Sequence, residues 1–221
     1  MPEILPGVHL VDGVDPSPDF TTHVYLVKNK GAGYTLIDTG LPGKDGAILA
    51  YLKKVGAKPS DVTHVLLTHL HLDHTGNLRR VLDATKAKSY AHWIEADFIA
   101  QRPSYDGPGS PPKEPVDVDV RFKDGDAFEA GRGLIAYHTP GHTPGHTSYF
   151  EPDRGLLFSG DLFFGSPGLV LTLPDFTHHT GTAQISARRV SALNPKAILS
   201  YHGGPFLEKS AEQLRELVHS F

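Results

Sequence analysis

Four side chains able to bind a metal ion fall within six residues of this chain, in the stretch Thr68-His69-Leu70-His71-Leu72-Asp73-His74-Thr75-Gly76. They fall where an apolar run, Val65-Leu66-Leu67, stops. A strand that ends in such a cluster delivers its ligands to one loop, and the fold has to build a cavity around that loop. Imidazole and carboxylate together suit zinc and related divalent ions. The spacing His69-x-His71 lets two side chains point the same way from an extended segment. The adjoining Asp73-His74 pair turns away, as it would to serve a second ion. The helical zinc-protease pattern, two histidines four apart flanking a glutamate, is not present here. A loop that is merely rich in histidine is the plain alternative, and it explains four ligand-type residues at one strand end poorly.

Hydrophobic periodicity organises the rest. Strands are expected at residues 8–12 and 22–28, Tyr34 to Ile37, Val62 to Leu67, Ser89 to Ala91, Val118 to Phe122, Ala127 to Ala130, Leu134 to His138, Ser148 to Phe150, Leu156 to Phe158 and Ala197 to Ser200. Helices are expected at residues 44–55, from Gly76 onward, from His92 to Gln101, at residues 181–193 and from about Leu207 to His219. The two opening strands suit the edge of an antiparallel-rich sheet. Two rounds of strands then helices suit two packed sheets with helices outside, a four-layer αββα sandwich of mixed α/β (α+β) class. Residues 103–118 break the rhythm: five prolines and two glycines fall between Pro103 and Pro115, which forbids a regular helix or central strand. A linker and a lid over the metal loop are both open for this segment.

The run His69-x-His71-x-Asp73-His74 resembles the signature of the metallo-β-lactamase superfamily. Other segments match in the family's order: Leu36-Ile37-Asp38-Thr39-Gly40, Thr139-Pro140-Gly141-His142-Thr143-Pro144-Gly145-His146, Ser159-Gly160-Asp161 and Tyr201-His202-Gly203. The resemblance implies a single αββα domain over residues 1–221, with its metals at one edge of the sheets. It implies that His69, His71 and His142 bind a first ion, that Asp73, His74 and His202 bind a second, and that Asp161 bridges them. Position within the motif favours His142 over His146 as the ligand. Asp38 and His146 are expected to support the ligands from behind, without touching metal. Phe164, His178 and His179 are the candidates for contact with substrate.

The resemblance further implies a dinuclear metallohydrolase that cleaves an ester-like bond with a hydroxide bridging two divalent ions, most simply zinc, with iron or manganese as alternatives. Asp73 is the candidate catalytic residue, placed to hold the nucleophile. Within the superfamily the chain looks most similar to the glyoxalase II group, which hydrolyses hydroxyacyl-glutathione thioesters. The context Gly160-Asp161-Leu162-Phe163 and the doubled Thr-Pro-Gly-His support this. The better-known glyoxalases hold glutathione with a C-terminal helical extension; about 15 residues follow Pro205 here, so a substrate smaller than a glutathione thioester is the expectation. Acyl homoserine lactonases are the nearest alternative. They place a tyrosine three residues after the bridging aspartate, where this chain has Phe164. A mono-iron persulfide dioxygenase, using two histidines and one aspartate, is the alternative of a different class. A β-lactamase fits less well, because those enzymes seldom carry the full Asp-His pair with a bridging aspartate.

Composition excludes other classes. The formal net charge is −4 with histidines neutral, which gives no electrostatic footprint for nucleic acid or an anionic membrane. With no cysteine, disulfides and thiolate nucleophiles are ruled out. No apolar run reaches the ~20 residues of a transmembrane helix, and Met1 to Pro6 lacks the features of a signal peptide. The expectation is a cytoplasmic enzyme with a small-molecule substrate, and a homodimer would fit the exposed edges.

Overall fold

The computed structural model describes residues 3–11, 14, 21–165 and 168–221. Its first sheet takes β1 (Glu3–Leu5), β2 (Val8–Leu10), β3 (Tyr25–Lys28) and β4 (Tyr34–Ile37), then β5 (Val62–Leu66), β6 (Lys88–His92) and β7 (Val120–Phe122), in that spatial order. The pairs up to β3–β4 are antiparallel, and those from β4–β5 onward are parallel. Parallel pairing requires crossovers, which carry α1 (Asp45–Lys54), the one-turn α2 (Leu72–Thr75), α3 (Leu78–Thr85) and α4 (Trp93–Ile99). The second sheet runs β12-β11-β10-β9-β8, with β13 also paired to β11. Its strands are β8 (Ala127–Phe128), β9 (Leu134–His138), β10 (Thr147–Glu151), β11 (Leu156–Gly165), β12 (Leu169–Leu171) and β13 (Ala197–His202); α5 (Thr180–Ser191) and α6 (Ser210–His219) complete the chain.

Alternation along the strands separates the layers, because successive side chains leave opposite faces. Tyr25, Val27, Ile37 and Leu66 meet Tyr149, Phe158 and Leu199 in the core between the sheets. Their neighbours Leu26, Leu36 and Val65 face the other way, onto Ile48 and Leu52 of α1, Val81 of α3 and Ile99 of α4. On the second sheet, Leu157 and Ile198 point outward to Ala187 and Val190 of α5 and Leu214 of α6. The result is the expected sandwich, two mixed sheets with helices on both outer faces. Fully burying a large apolar side chain contributes roughly 1.5–3 kcal/mol, against about 0–1 kcal/mol for an exposed ion pair such as Arg121–Asp97. The three cores therefore hold the fold.

Several local expectations are corrected. The opening sheet is antiparallel over only half its width. β1 and β12 were not expected; both are three-residue edge strands, too short for a periodic signal. The strand expected to stop at Phe158 runs on to Gly165, because β12 and β13 both pair with it there. β8 ends at Phe128, short of Ala130, and the last helix begins at Ser210, after Lys209 turns into left-handed backbone (φ 53°). Residue 12 of the expected strand 8–12 lies outside the described residues. The proline-rich segment has no regular structure but is tied down: the Leu72 N–H donates to Ser110 O at 2.8 Å, and Gln101 Nε2 donates to Pro112 O at 2.7 Å. It packs directly on the metal loop. None of the described helices is long and apolar enough to cross a membrane.

Candidate metal centre

The ends of β5, β10, β11 and β13 meet at one edge of the sandwich. His69 and His71 follow β5, and His142 comes from the turn before β10. His142 Nε2 lies 3.2 Å from His69 Nε2 and 3.0 Å from His71 Nδ1, and His69 Nε2 lies 3.0 Å from His71 Nδ1. Three imidazole nitrogens thus face one point. Burial holds His69 and His142 well below the usual imidazole range, and their neighbouring histidines add to the effect. That shift favours the neutral imidazole that metal coordination requires. Their outer nitrogens are also engaged, His69 Nδ1 by Thr68 Oγ1 at 3.0 Å and His142 Nδ1 by Thr172 Oγ1 at 3.2 Å. Such contacts fix ring orientation.

A second group adjoins it. Asp73 Oδ2 lies 3.2 Å from His202 Nε2 and 3.6 Å from His74 Nε2. Asp161 stands between the groups: Oδ1 is 3.3 Å from His74 Nε2, and Oδ2 is 3.4 Å from His202 Nε2 and 3.5 Å from His142 Nε2. Burial disfavours charge on His202, but Asp161 and Asp73 outweigh it and raise its pKa to about 10. His74 is likewise raised well above its usual range, by Asp161, Asp73 and Asp38 against burial. Burial alone would raise Asp161, yet His202 and His74 hold it well below the carboxylate range. His74 Nε2 and Asp161 Oδ1 are buried 3.3 Å apart without making an aligned hydrogen bond, so each faces the other across the space a shared ligand would fill. A divalent ion is such a ligand. The sets His69-His71-His142, His69-His74-Asp161 and Asp73-His74-His202 each bring their ligand atoms within 4.8 Å of one another. The donors therefore fit two adjacent metal ions.

The supporting residues follow the same logic. Asp38 accepts from the Thr68 N–H and the Thr68 hydroxyl, each at 2.8 Å, and from His74 Nδ1 at 2.8 Å. It does so from left-handed backbone (φ 60°), a conformation aspartate tolerates better than most residues. His146 Nε2 accepts from the Asp161 N–H at 3.1 Å, and its Nδ1 donates to Thr139 O at 3.1 Å. Burial pushes its pKa down to about 3, so it is a neutral clamp on the strand that carries Asp161. Gly160 is required beneath it. Its φ is +52°, and a Cβ there would lie 2.7 Å from His146 Nε2.

A bulge explains how one strand serves both the ions and the cleft. Simple alternation would put Asp161 and Phe164 on opposite faces. Between Gly160↔Ser200 and Phe164↔His202 the register of β11 against β13 shifts, and both side chains reach the cleft. That cleft, of about 340 Å³, is lined by Asp73, Asp161, His71, His142 and His202 together with Leu41, Leu72, Phe164 and Phe176. The Phe164 ring stands edge-on to His202, with centroids 5.1 Å apart. Of the other two substrate candidates, His178 and His179 are both exposed and neither is among the cleft-lining residues. Their backbone N–H groups bond to His142 O and Gly141 O, and the His179 ring caps α5 by accepting from the Thr182 N–H at 3.1 Å.

Two supporting features escape sequence reasoning. Glu95, in the first turn of α4, is fully buried. Its carboxylate accepts from the Leu70 N–H at 2.7 Å, the Thr143 hydroxyl at 2.8 Å and the Gly145 N–H at 2.7 Å. It ties the His69–His71 loop to the loop of His142. Burial raises its pKa to about 7 against those three bonds. Nothing in the helix Trp93–Ile99 distinguishes Glu95 from a surface glutamate until the two loops are seen around it. Replacing it by alanine orphans three buried donors at about 1–3 kcal/mol each, so a thermal melt should show a large drop. An unchanged melt would contradict this clamp.

The second feature is in the proline-rich segment. His71 Nε2 donates to Pro108 O at 2.8 Å, which leaves Nδ1 as the nitrogen facing the other ligands. A Cβ on Gly109 would come within 2.4 Å of that Nε2. Gly109→Ala should therefore tilt the ring and weaken metal binding by about 10–100-fold, the scale seen when a ligand's orienting partner is lost. Competition with a chelator measures this. Gly43→Ala is the control, because it shares a φ near +83° with nothing within 4 Å; equal affinities in the two variants would sink the explanation.

The fold has counterparts among known proteins. Residues 17–202 match the family model described as "Metallo-beta-lactamase superfamily". The uncharacterized protein YobT of Bacillus subtilis (strain 168) is 29% identical over 220 residues, covering 90% of each chain. From the same organism, YflN, whose description reads "Probable metallo-hydrolase", is 26% identical over 253 residues, covering 96% of this chain and 92% of its own. Among solved structures, the metallo-beta-lactamase family protein TTHA1429 from Thermus thermophilus superposes with a TM-score of 0.75 at 25% identity, covering 98% of this chain and 79% of that one.

Proposed function

The chain belongs to the metallo-beta-lactamase superfamily, and from the geometry of its site we propose that it is a dinuclear metallohydrolase cleaving an ester-like carboxyl bond. The observation that carries this reading is Asp161, whose two oxygens face both ligand groups at 3.3–3.5 Å. In the proposed assignment His69, His71 and His142 hold one ion and Asp73, His74 and His202 the other, with Asp161 shared. Two divalent ions there, zinc being the one this donor set suits best, would supply an activated water near neutral pH and polarise the carbonyl oxygen. The rest falls to the protein. Asp73 lines the cleft and keeps part of its side chain open to it, so its carboxylate accepts a hydrogen bond from the attacking water and orients it. Leu41, Leu72 and Phe164 also line the cleft, and their apolar surface limits competing water. Thioesters are the bond class of the glyoxalase II group that the metal motifs resemble, carboxylic esters are the related alternative, and YflN's description supports hydrolysis.

The test is hydrolysis of a thioester and a simple carboxylic ester before and after chelation. The expected result is loss of both activities and their return with zinc. Turnover that survives full chelation would overturn the reading, and preparations carrying a single iron and oxidising persulfides would replace it with a dioxygenase.

A further inference from the structure

The lining of the cleft says more about the substrate than the metal ligands do. Apart from the ligands it offers Leu41, Leu72, Phe164 and Phe176, with Gly109 and Ser110 as its small residues. Neither lysine nor arginine is among these lining residues. Phe176 is 53% exposed and Leu173, three residues earlier, is 48% exposed. Phe176 lines the cleft, so its exposed ring adds to the apolar lining that Leu41, Leu72 and Phe164 supply. The cavity is at the small end of the range for small-molecule pockets, about 300–1,000 Å³.

Glutathione carries two carboxylates, which a cleft would ordinarily meet with lysine, arginine or a helix N-terminus. Burying either carboxylate against Phe164 and Leu72 without a partner would be costly. A neutral chain gains from the same wall.

We propose that this cleft takes an uncharged ester or thioester whose apolar acyl chain lies against Leu41, Leu72, Phe164 and Phe176, and that glutathione thioesters are poor substrates. This rests on the hydrolase reading above and narrows it. Hydrolysis transfers the acyl group to water: the single bond from the acyl carbon to the leaving oxygen or sulfur breaks, a bond from that carbon to the water oxygen forms to give the carboxylic acid, and the leaving alcohol or thiol takes the proton that the water loses.

The experiment has two arms on the zinc-loaded protein. The first compares kcat/KM for acetyl, butyryl, hexanoyl and octanoyl esters of one alcohol, with lactoyl-glutathione alongside. The second measures calorimetric binding of the matching alkyl hydroxamic acids, which need no turnover. The expected result is a rise of about four-fold per added methylene until the cleft is full, the equivalent of ~0.8 kcal/mol per buried CH₂. Phe164→Ala and Phe176→Ala should flatten that slope. Ester hydrolysis that is flat in chain length, or lactoyl-glutathione outrunning every ester, overturns the inference and leaves the hydrolase reading standing. Chain-dependent hydroxamate binding with no hydrolysis of any ester overturns the hydrolase reading and leaves the apolar subsite standing. Flat binding without hydrolysis overturns both.

Discussion

Asp161→Ala will abolish hydrolysis and lower the bound metal. Its carboxylate lies within 3.5 Å of His74, His142 and His202, so one truncation removes a donor from both proposed sites. Lewis-acid stabilisation by metal is worth several kcal/mol, and each ~1.4 kcal/mol is a factor of ten; the loss should be about a thousand-fold or more. The same variant leaves His202 and His74 facing one carboxylate fewer. Breaking a buried charge pair from one side costs about 3–5 kcal/mol, so the chelated variant should also melt at a lower temperature than chelated wild type. Asp161→Asn separates the two effects. It keeps volume and one oxygen acceptor but not the charge, and it should stay inactive while recovering part of the melting temperature. Near-normal turnover in either variant would remove Asp161 from the mechanism.

The second large effect is expected at Asp38, which touches no proposed ion. Asp38→Ala leaves the Thr68 N–H, the Thr68 hydroxyl and His74 Nδ1 without the carboxylate that accepts from them. His74 also stacks against Tyr201, with ring centroids 3.7 Å apart, and it is Asp38 that fixes which nitrogen turns toward Asp161. Metal affinity should fall by about 10–100-fold, with activity returning when zinc is supplied in excess. That rescue distinguishes it from Asp161→Ala, which excess zinc should not restore. Zinc binding by Asp38→Ala as tight as in wild type would mean that Asp38 does not set the His74 tautomer.

Much of this was legible in the sequence because ligand residues cluster at strand ends, and strand ends are marked by apolar runs stopping at glycine or a polar residue. Val65-Leu66-Leu67 before His69 and Ala197-Ile198-Leu199 before His202 are of this kind. What was not legible depends on long-range packing. β11 continues past Asp161 because two other strands pair with it, and the bulge that aims Phe164 into the cleft exists only in that pairing. Glu95 reads as a surface residue of an amphipathic helix until two loops close over it. His178 and His179 lie near the site in sequence, but their backbone rather than their rings faces it.

The most direct measurement is a calorimetric zinc titration of the chelated protein, with metal content checked by mass spectrometry. Two ions per chain are expected, with binding weakening as pH falls because His74 and His202, whose pKa values are raised, must each give up a proton to coordinate. A single bound ion at saturation, with Asp73 and His202 replaceable by alanine at no cost to affinity, would contradict the dinuclear assignment.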